Sequence, residues 1–265
     1  MHETTRQDSA LDMTGKVVIV TGGAKGVGRG ITTRFLAAGA DVVICGRTVP
    51  EQLPEASGKR ALFVAADVRQ VDDIDRVITV AQERWGRLDV LVNNAGGSPH
   101  TEAATASPRF AEAIIRLNLI APLNFAQRAN AVMQAQADGG AIINIASVSG
   151  IRPSPGTAAY GAAKAGLLNL TESLAVEWAP KVRVNAVTAG MIRTEQSHLH
   201  YGDAAGVAAV ATTVPLGRLG EPEDIGDVCL FLVSSLARYV SGTSIVVHGG
   251  GERPAFLAAS TAEHS

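Results

Sequence analysis

The chain has 265 residues, 46% hydrophobic, 18% charged and 4% aromatic, and its 23 basic and 25 acidic side chains leave a formal charge of -2. That length and apolar content support one sizeable core and exclude a disordered chain. The balanced charge offers no basic excess for gripping nucleic acid or an anionic membrane, and so few aromatics make no base-stacking platform.

Residues 1–13 are polar, lack a hydrophobic signal core and are expected to form a flexible segment; no later window approaches the ~20 apolar residues of a membrane span. A soluble, cytoplasmic protein is expected. From Lys16–Thr21 onward, short β-branched runs alternate with longer Ala-rich segments of helical periodicity. The further runs are Asp41–Cys45, Ala61–Ala66, Asp89–Val92, Ala141–Ala146, Val182–Val187 and Ser244–His248. All are apolar throughout, which predicts strands of a parallel sheet covered on both faces. Between them, Ile74, Val77, Ile78, Ala81 and Trp85 follow an acidic first turn at helical spacing, as do Leu167, Leu170, Leu174 and Trp178 within Thr157–Ala179.

The expected architecture is α/β: a doubly wound, seven-stranded parallel sheet with helices on both faces, in one domain over 14–250. Its least regular part, Met191–Pro215, reads as a substrate loop, and 251–265 as a C-terminal tail. Cys45 and Cys229 lie in apolar runs and are expected as buried thiols rather than a disulfide.

Directly after the first strand comes Thr21-Gly22-Gly23-Ala24-Lys25-Gly26-Val27-Gly28, with a helix expected from about Arg29 to Ala38. Glycines there let the backbone approach a pyrophosphate, whose charge then faces the free N–H groups of the helix. A glycine turn alone is weak; the strand before it and the helix after it make it a dinucleotide turn, with Gly22, Ala24, Lys25, Gly26, Val27 and Gly28 as contacts. The end of the second strand should discriminate the dinucleotide, since an acid there binds the ribose and repels a 2′-phosphate. This chain has Ile44-Cys45-Gly46-Arg47. Arg47 and Lys25 are either solvated surface charges or partners of that phosphate, and the missing acid favours NADP over NAD.

Tyr160 and Lys164, four residues apart, share one helix face, and Ser147 stands 13 residues earlier at a strand end. A free tyrosine of pKa ~10 is a poor base at neutral pH. An ammonium ~4 Å away contributes about 4 kcal/mol at an effective dielectric of ~20, on the order of three pKa units. Taken singly, Ser147 could cap a turn, Asn118 could be a buried helix polar group, and Tyr160 could be packing.

The Gly-x-x-x-Gly-x-Gly turn, Asn93-Asn94-Ala95-Gly96, Asn118, Ser147 and Tyr160-Gly161-Ala162-Ala163-Lys164 together resemble the short-chain dehydrogenase/reductase family, and its 3-oxoacyl-reductase-like members in particular. The resemblance runs from Lys16 to Gly250, in the family's order. It implies a Rossmann-type fold and an NADP-dependent oxidoreductase acting on CH–OH groups, interconverting a ketone and a secondary alcohol. Tyr160 would be the acid/base. Lys164 would lower its pKa and hold the nicotinamide ribose, Ser147 would bind the substrate oxygen, and Asn118 would keep a relay water. Asp67 and Val68 match the family's adenine contact, although Asp67 could equally cap a helix. Asn94 would serve either the cofactor or the strand ends. Ile192 and Thr194 resemble residues that meet the carboxamide. The family usually has Pro-Gly where this chain has Ala189-Gly190. A homotetramer is also implied.

Other signals are weaker. His198-Leu199-His200 lacks a further ligand at metal spacing, so no metal is expected. Around Ser147 there is no hydrolase elbow, and the chain has no P-loop ending. The competing readings are a non-catalytic dinucleotide-binding sensor, an NAD-preferring dehydrogenase of the same family, and an epimerase or dehydratase of the same fold. The lining expected from Ser98–Thr101, Val148–Pro155 and Met191–Pro215 is largely apolar and points to a hydrophobic carbonyl, such as an acyl thioester or polycyclic ketone.

Overall fold

The computed structural model describes residues 10–259. The expected flexible segment 1–13 and tail 251–265 therefore lie partly outside the described residues. Met13 is buried against the sheet, and a short helix, Ala255–Ala259, occupies the described part of the tail.

The strands, in chain order, are β1 (Val17–Thr21), β2 (Asp41–Gly46), β3 (Glu55–Ala56), β4 (Lys59–Arg60), β5 (Leu62–Ala65), β6 (Val90–Asn93), β7 (Gly140–Ser147), β8 (Val182–Ala189) and β9 (Ser244–Val247). Seven of them form one sheet in the order β5-β2-β1-β6-β7-β8-β9, with every neighbouring pair parallel. The order reverses direction at β1, so a crevice opens beside its C-terminal end, where a doubly wound sheet binds its ligand. All seven expected strands are present, their ends moved by one or two residues. β3 and β4 are an additional hairpin, turning through Ser57 and Gly58 at positive φ.

The helices are α1 (Gly26–Ala37), α2 (Val71–Trp85), α3 (Pro108–Ile115), α4 (Ala121–Ala135), α5 (Ala158–Glu177), α6 (His198–Tyr201), α7 (Ala204–Thr213), α8 (Pro222–Val233) and α9 (Ala255–Ala259). Strand alternation divides the apolar runs between two layers. Val17, Ile19, Leu91, Ile142 and Val184 face α2, α4 and α5, whereas Val18, Val20, Ile44, Ile143 and Val187 face α1 and α8. Cys45 and Cys229 are free, buried and pushed up in pKa by desolvation. Among the described residues no helix is long and apolar enough to cross a membrane, and no group of three or more His, Cys, Asp or Glu could hold a metal.

Two departures bear on the site. α1 begins at Gly26, three residues before its expected start, so Gly26, Val27 and Gly28 form its first turn. The stretch 191–215 is largely helical, because Asp203 caps α7 by accepting from Gly206 N–H at 2.9 Å, and an Ala-rich run follows.

A buried polar chain ties the strands to the helix that carries Tyr160. Asn93 Nδ2 donates to Asn144 Oδ1 at 3.0 Å, and Asn144 Nδ2 donates to Thr171 Oγ1 at 2.9 Å, linking β6, β7 and α5. Replacing Asn144 with Ala removes two buried hydrogen bonds, leaving Asn93 Nδ2 only the Pro122 carbonyl and Thr171 Oγ1 only the Leu167 carbonyl, at about 1–1.5 kcal/mol for each lost bond. Chemical denaturation of Asn144→Ala is expected to show a loss on the order of 3 kcal/mol with an unchanged m-value.

Candidate active site

The phosphate turn is built by sterics. Thr21 closes β1 with its hydroxyl accepting from the N–H groups of Asn94 and Ala95, both at 2.9 Å, which fixes the end of β6 against β1. Asn94 Nδ2 donates to the Thr21 carbonyl at 2.8 Å, a contact between the ends of β6 and β1. A Cβ on Gly28 would stand 2.3 Å from the Gly22 carbonyl oxygen and 2.5 Å from Asn94 Nδ2. Only glycine fits there. Ala24 and Val27 pack partly buried against the core around α1, and Lys25, its N-cap, is exposed. An anion already meets this turn: the Glu195 carboxylate accepts from Gly26 N–H at 3.1 and 3.2 Å. The residues present therefore fit a dinucleotide diphosphate.

Arg47 is exposed just past β2. Asp67 is held below the usual carboxylate range, first by its hydrogen bonds with Arg69 and in lesser part by the Arg47 charge. The Arg69 guanidinium grips both Asp67 oxygens, which answers the helix-cap reading: the carboxylate is spent on Arg69, while Asp67 N–H donates to Asp73 Oδ2 at 2.7 Å. Val68 is buried in the core under α2.

Ser147 ends β7 and Tyr160 lies in the first turn of α5, with Lys164 one turn on. Burial raises the Tyr160 pKa, and the neighbouring Ser147 hydroxyl works against that rise. Lys164 is 3% exposed; its Nζ donates to the Ile145 carbonyl at 2.7 Å and stands 5.6 Å from the centre of the Tyr160 ring. Desolvation lowers its pKa to about 8. The expected lowering of the phenol by the ammonium is thus not expressed here, since burial acts on both groups first.

Asn118 is fully buried in a turn of π-helix, Arg116–Ile120, between α3 and α4. Its Nδ2 donates to Gly97 and Ile114 carbonyls at 3.0 and 2.9 Å, and its Oδ1 accepts from Gly97 N–H at 2.9 Å. A Cβ on Gly96 would meet Asn118 Oδ1 at 2.5 Å and Lys164 Nζ at 3.4 Å, so the two residues flank one narrow space. Pro122, four residues after Asn118, has no N–H for the Asn118 carbonyl, a signal in the sequence that the helix must change register here.

Beyond β8, Ile192 bridges to Gly220, and Thr194 N–H donates to Ser197 Oγ at 2.8 Å. β8 runs through Ala189 in register with Ser147 and Val247, at the place where the family usually has proline. The turn Gly22–Gly28, Asn118, Ser147, Tyr160, Lys164 and Thr194 come from strand ends, loops or helices at the C-terminal edge of one sheet. Arg47 and Asp67 follow β2 and β5 at the same edge.

A doubly wound parallel sheet with a glycine turn at its switch point defines a dinucleotide-binding protein. A family model described as enoyl-(acyl carrier protein) reductase matches residues 13–252. The 2-dehydro-3-deoxy-D-gluconate 5-dehydrogenase of Escherichia coli strain K12 is 34% identical over 246 residues, covering 91% of this chain and 97% of that protein. An uncharacterized short-chain type dehydrogenase/reductase of Sinorhizobium fredii is 37% identical over 244 residues, with 89% of this chain covered; the chain spans 43% of that protein's length. The solved aldohexose dehydrogenase of Thermoplasma acidophilum superposes with a TM-score of 0.83 at 30% identity, over 91% of this chain and 94% of that one. The chain belongs to the short-chain dehydrogenase/reductase family, which implies an NAD or NADP cofactor.

Proposed function

We propose that the protein is an NADP-dependent oxidoreductase interconverting a ketone and a secondary alcohol, with Tyr160 as acid/base. The observation that carries this reading is the meeting of Tyr160, Ser147 and the buried Lys164 at the C-terminal end of β7. When bound, the dinucleotide supplies or accepts the hydride. Tyr160, its pKa raised by burial, is protonated at neutral pH and gives its proton to the oxygen of a carbonyl being reduced. Ser147 holds that oxygen beside the phenol, and Lys164 would hold the nicotinamide ribose. The Asn118 carboxamide is fully engaged, so its backbone carbonyl, which lacks the Pro122 N–H, keeps the relay water behind Lys164.

The substrate side joins an apolar lid, formed by the loop 191–215, to a polar spot. Met191, Tyr201, Val207 and Val210 pack against Ala211, Val214 and Leu219, while Arg152, five residues past Ser147, pairs with Glu252 at 2.5 Å. We read the substrate as a carbonyl compound with a bulky apolar body. The reading extends to a cytoplasmic homotetramer: the thiols are free, and Val246 on the edge strand β9 and Val176 on α5 are exposed apolar positions that another copy would cover.

The test is turnover of a ketone panel with NADPH: 3-oxoacyl thioesters, ketosteroids, cyclic diketones and sugar-derived ketones. Binding of NADPH without consumption on every ketone would favour the sensor. Cofactor choice has its own test. A Cβ on Gly46 would meet only Phe63 Cε2, at 3.8 Å, so Gly46→Asp is sterically open. Gly46→Asp and Arg47→Ala are each expected to weaken NADPH by about tenfold or more while changing NADH little, from loss of one charge-assisted phosphate contact or gain of one repulsion. Equal losses for both dinucleotides would remove Arg47 from 2′-phosphate recognition.

A further inference from the structure

The lid and the phosphate turn meet at one polar contact that the proposed chemistry does not use. The N-cap of α1 is Lys25, whose side chain makes no capping hydrogen bond, and the first turn of α1 contains no acidic residue. A helix start of this kind leaves N–H groups without helical partners and concentrates partial positive charge. Glu195 supplies the missing acceptor from 169 residues away, with both carboxylate oxygens on Gly26 N–H. Thr194 closes on the same point, its Cγ2 3.4 Å from where a Cβ on Gly26 would lie, and Gly26 has a φ of +49°. Such a charge-assisted bond is the kind that a phosphate oxygen forms at a helix start. A carboxylate and a diphosphate at this turn compete for the same donor and repel each other.

We propose that Glu195 is a positioning residue that holds the diphosphate end of the dinucleotide site in the free protein and must release Gly26 for the dinucleotide to seat. An open cavity of about 380 Å³ adjoins it, lined in part by Arg193, Glu195, His198, Asp203 and Val207. Arg193, half-exposed and 3.3 Å from Glu221, offers the released carboxylate a cation. Glu195 precedes α6 and α7 in one continuous segment, so its release loosens the lid. Occupancy of the dinucleotide site is thereby felt on the substrate side without contact between the two ligands.

The inference rests on dinucleotide binding and not on the role of Tyr160. Its test is titration calorimetry of ADP, NADP+ and phosphate-free adenosine against wild type, Glu195→Gln and Glu195→Ala, with hydrogen exchange of the 194–213 backbone. Both variants are expected to bind ADP and NADP+ about fivefold or more tightly than wild type, with adenosine unchanged. ADP should speed lid exchange in wild type, and Glu195→Ala should exchange fast without it. Unchanged or weaker ADP binding in both variants, or lid exchange indifferent to ADP, would overturn the proposal. A wild type that binds neither NADP+ nor NAD+ would instead overturn the dinucleotide reading, and this inference with it.

Discussion

Tyr160→Phe is expected to lower turnover by about 10²- to 10⁴-fold while NADPH binding stays within a few-fold, because the change removes the proton-donating hydroxyl and little volume. Parallel measurements of ketone-dependent NADPH oxidation and of cofactor affinity check it. The phenol is buried and raised in pKa, which also fixes the sign of the pH dependence. Ketone reduction uses the protonated form and should hold its rate through neutral pH, falling only in the alkaline range. Alcohol oxidation uses the deprotonated form and should climb with pH over that same range. Retained activity in the phenylalanine variant would assign the proton to another group and sink the acid/base role.

The second large effect belongs to the phosphate turn. Gly28→Ala places a methyl 2.3 Å from the Gly22 carbonyl oxygen, inside any tolerable contact, so the backbone of the turn has to move. Gly28 N–H and Val27 N–H move with it. Dinucleotide affinity is expected to drop by about 10²-fold, on the order of 3 kcal/mol, for both NADPH and NADH. Gly46→Ala is the matched control, since its methyl meets only ordinary contact at 3.8 Å. If the two alanine variants bound alike, the close packing around Gly28 would have no part in holding the diphosphate.

Much of the scaffold is legible in the sequence because its strands are buried on both faces and so appear as unbroken apolar runs. Val17–Thr21 and Val182–Ala189 differ from their expected spans by only one or two residues. The motif residues are legible as well, since Tyr160 and Lys164 carry their spacing within one helix. The early start of α1 was hidden: Gly26 and Gly28 have poor helix propensity, and tertiary packing against the turn overrides it. The π-turn at Asn118 had a visible cause in Pro122, and Asn144 was visible as a polar residue in an apolar strand, but neither names its partner. The hairpin of β3 and β4 had its Ser57-Gly58 turn as a cue. Glu195 on Gly26 N–H is a contact between distant segments and left no local trace.

Lys164 has a consequence beyond chemistry. An ammonium whose folded pKa is depressed to about 8 opposes folding in full below that pH, and the opposition fades only as pH rises toward the unfolded value of ~10.4. The opposition is on the order of 3 kcal/mol, a sizeable share of the stability of an ordinary domain. An apolar side chain of similar length at this position would lift that opposition, so the fold carries the buried ammonium at a cost in stability rather than leaning on it.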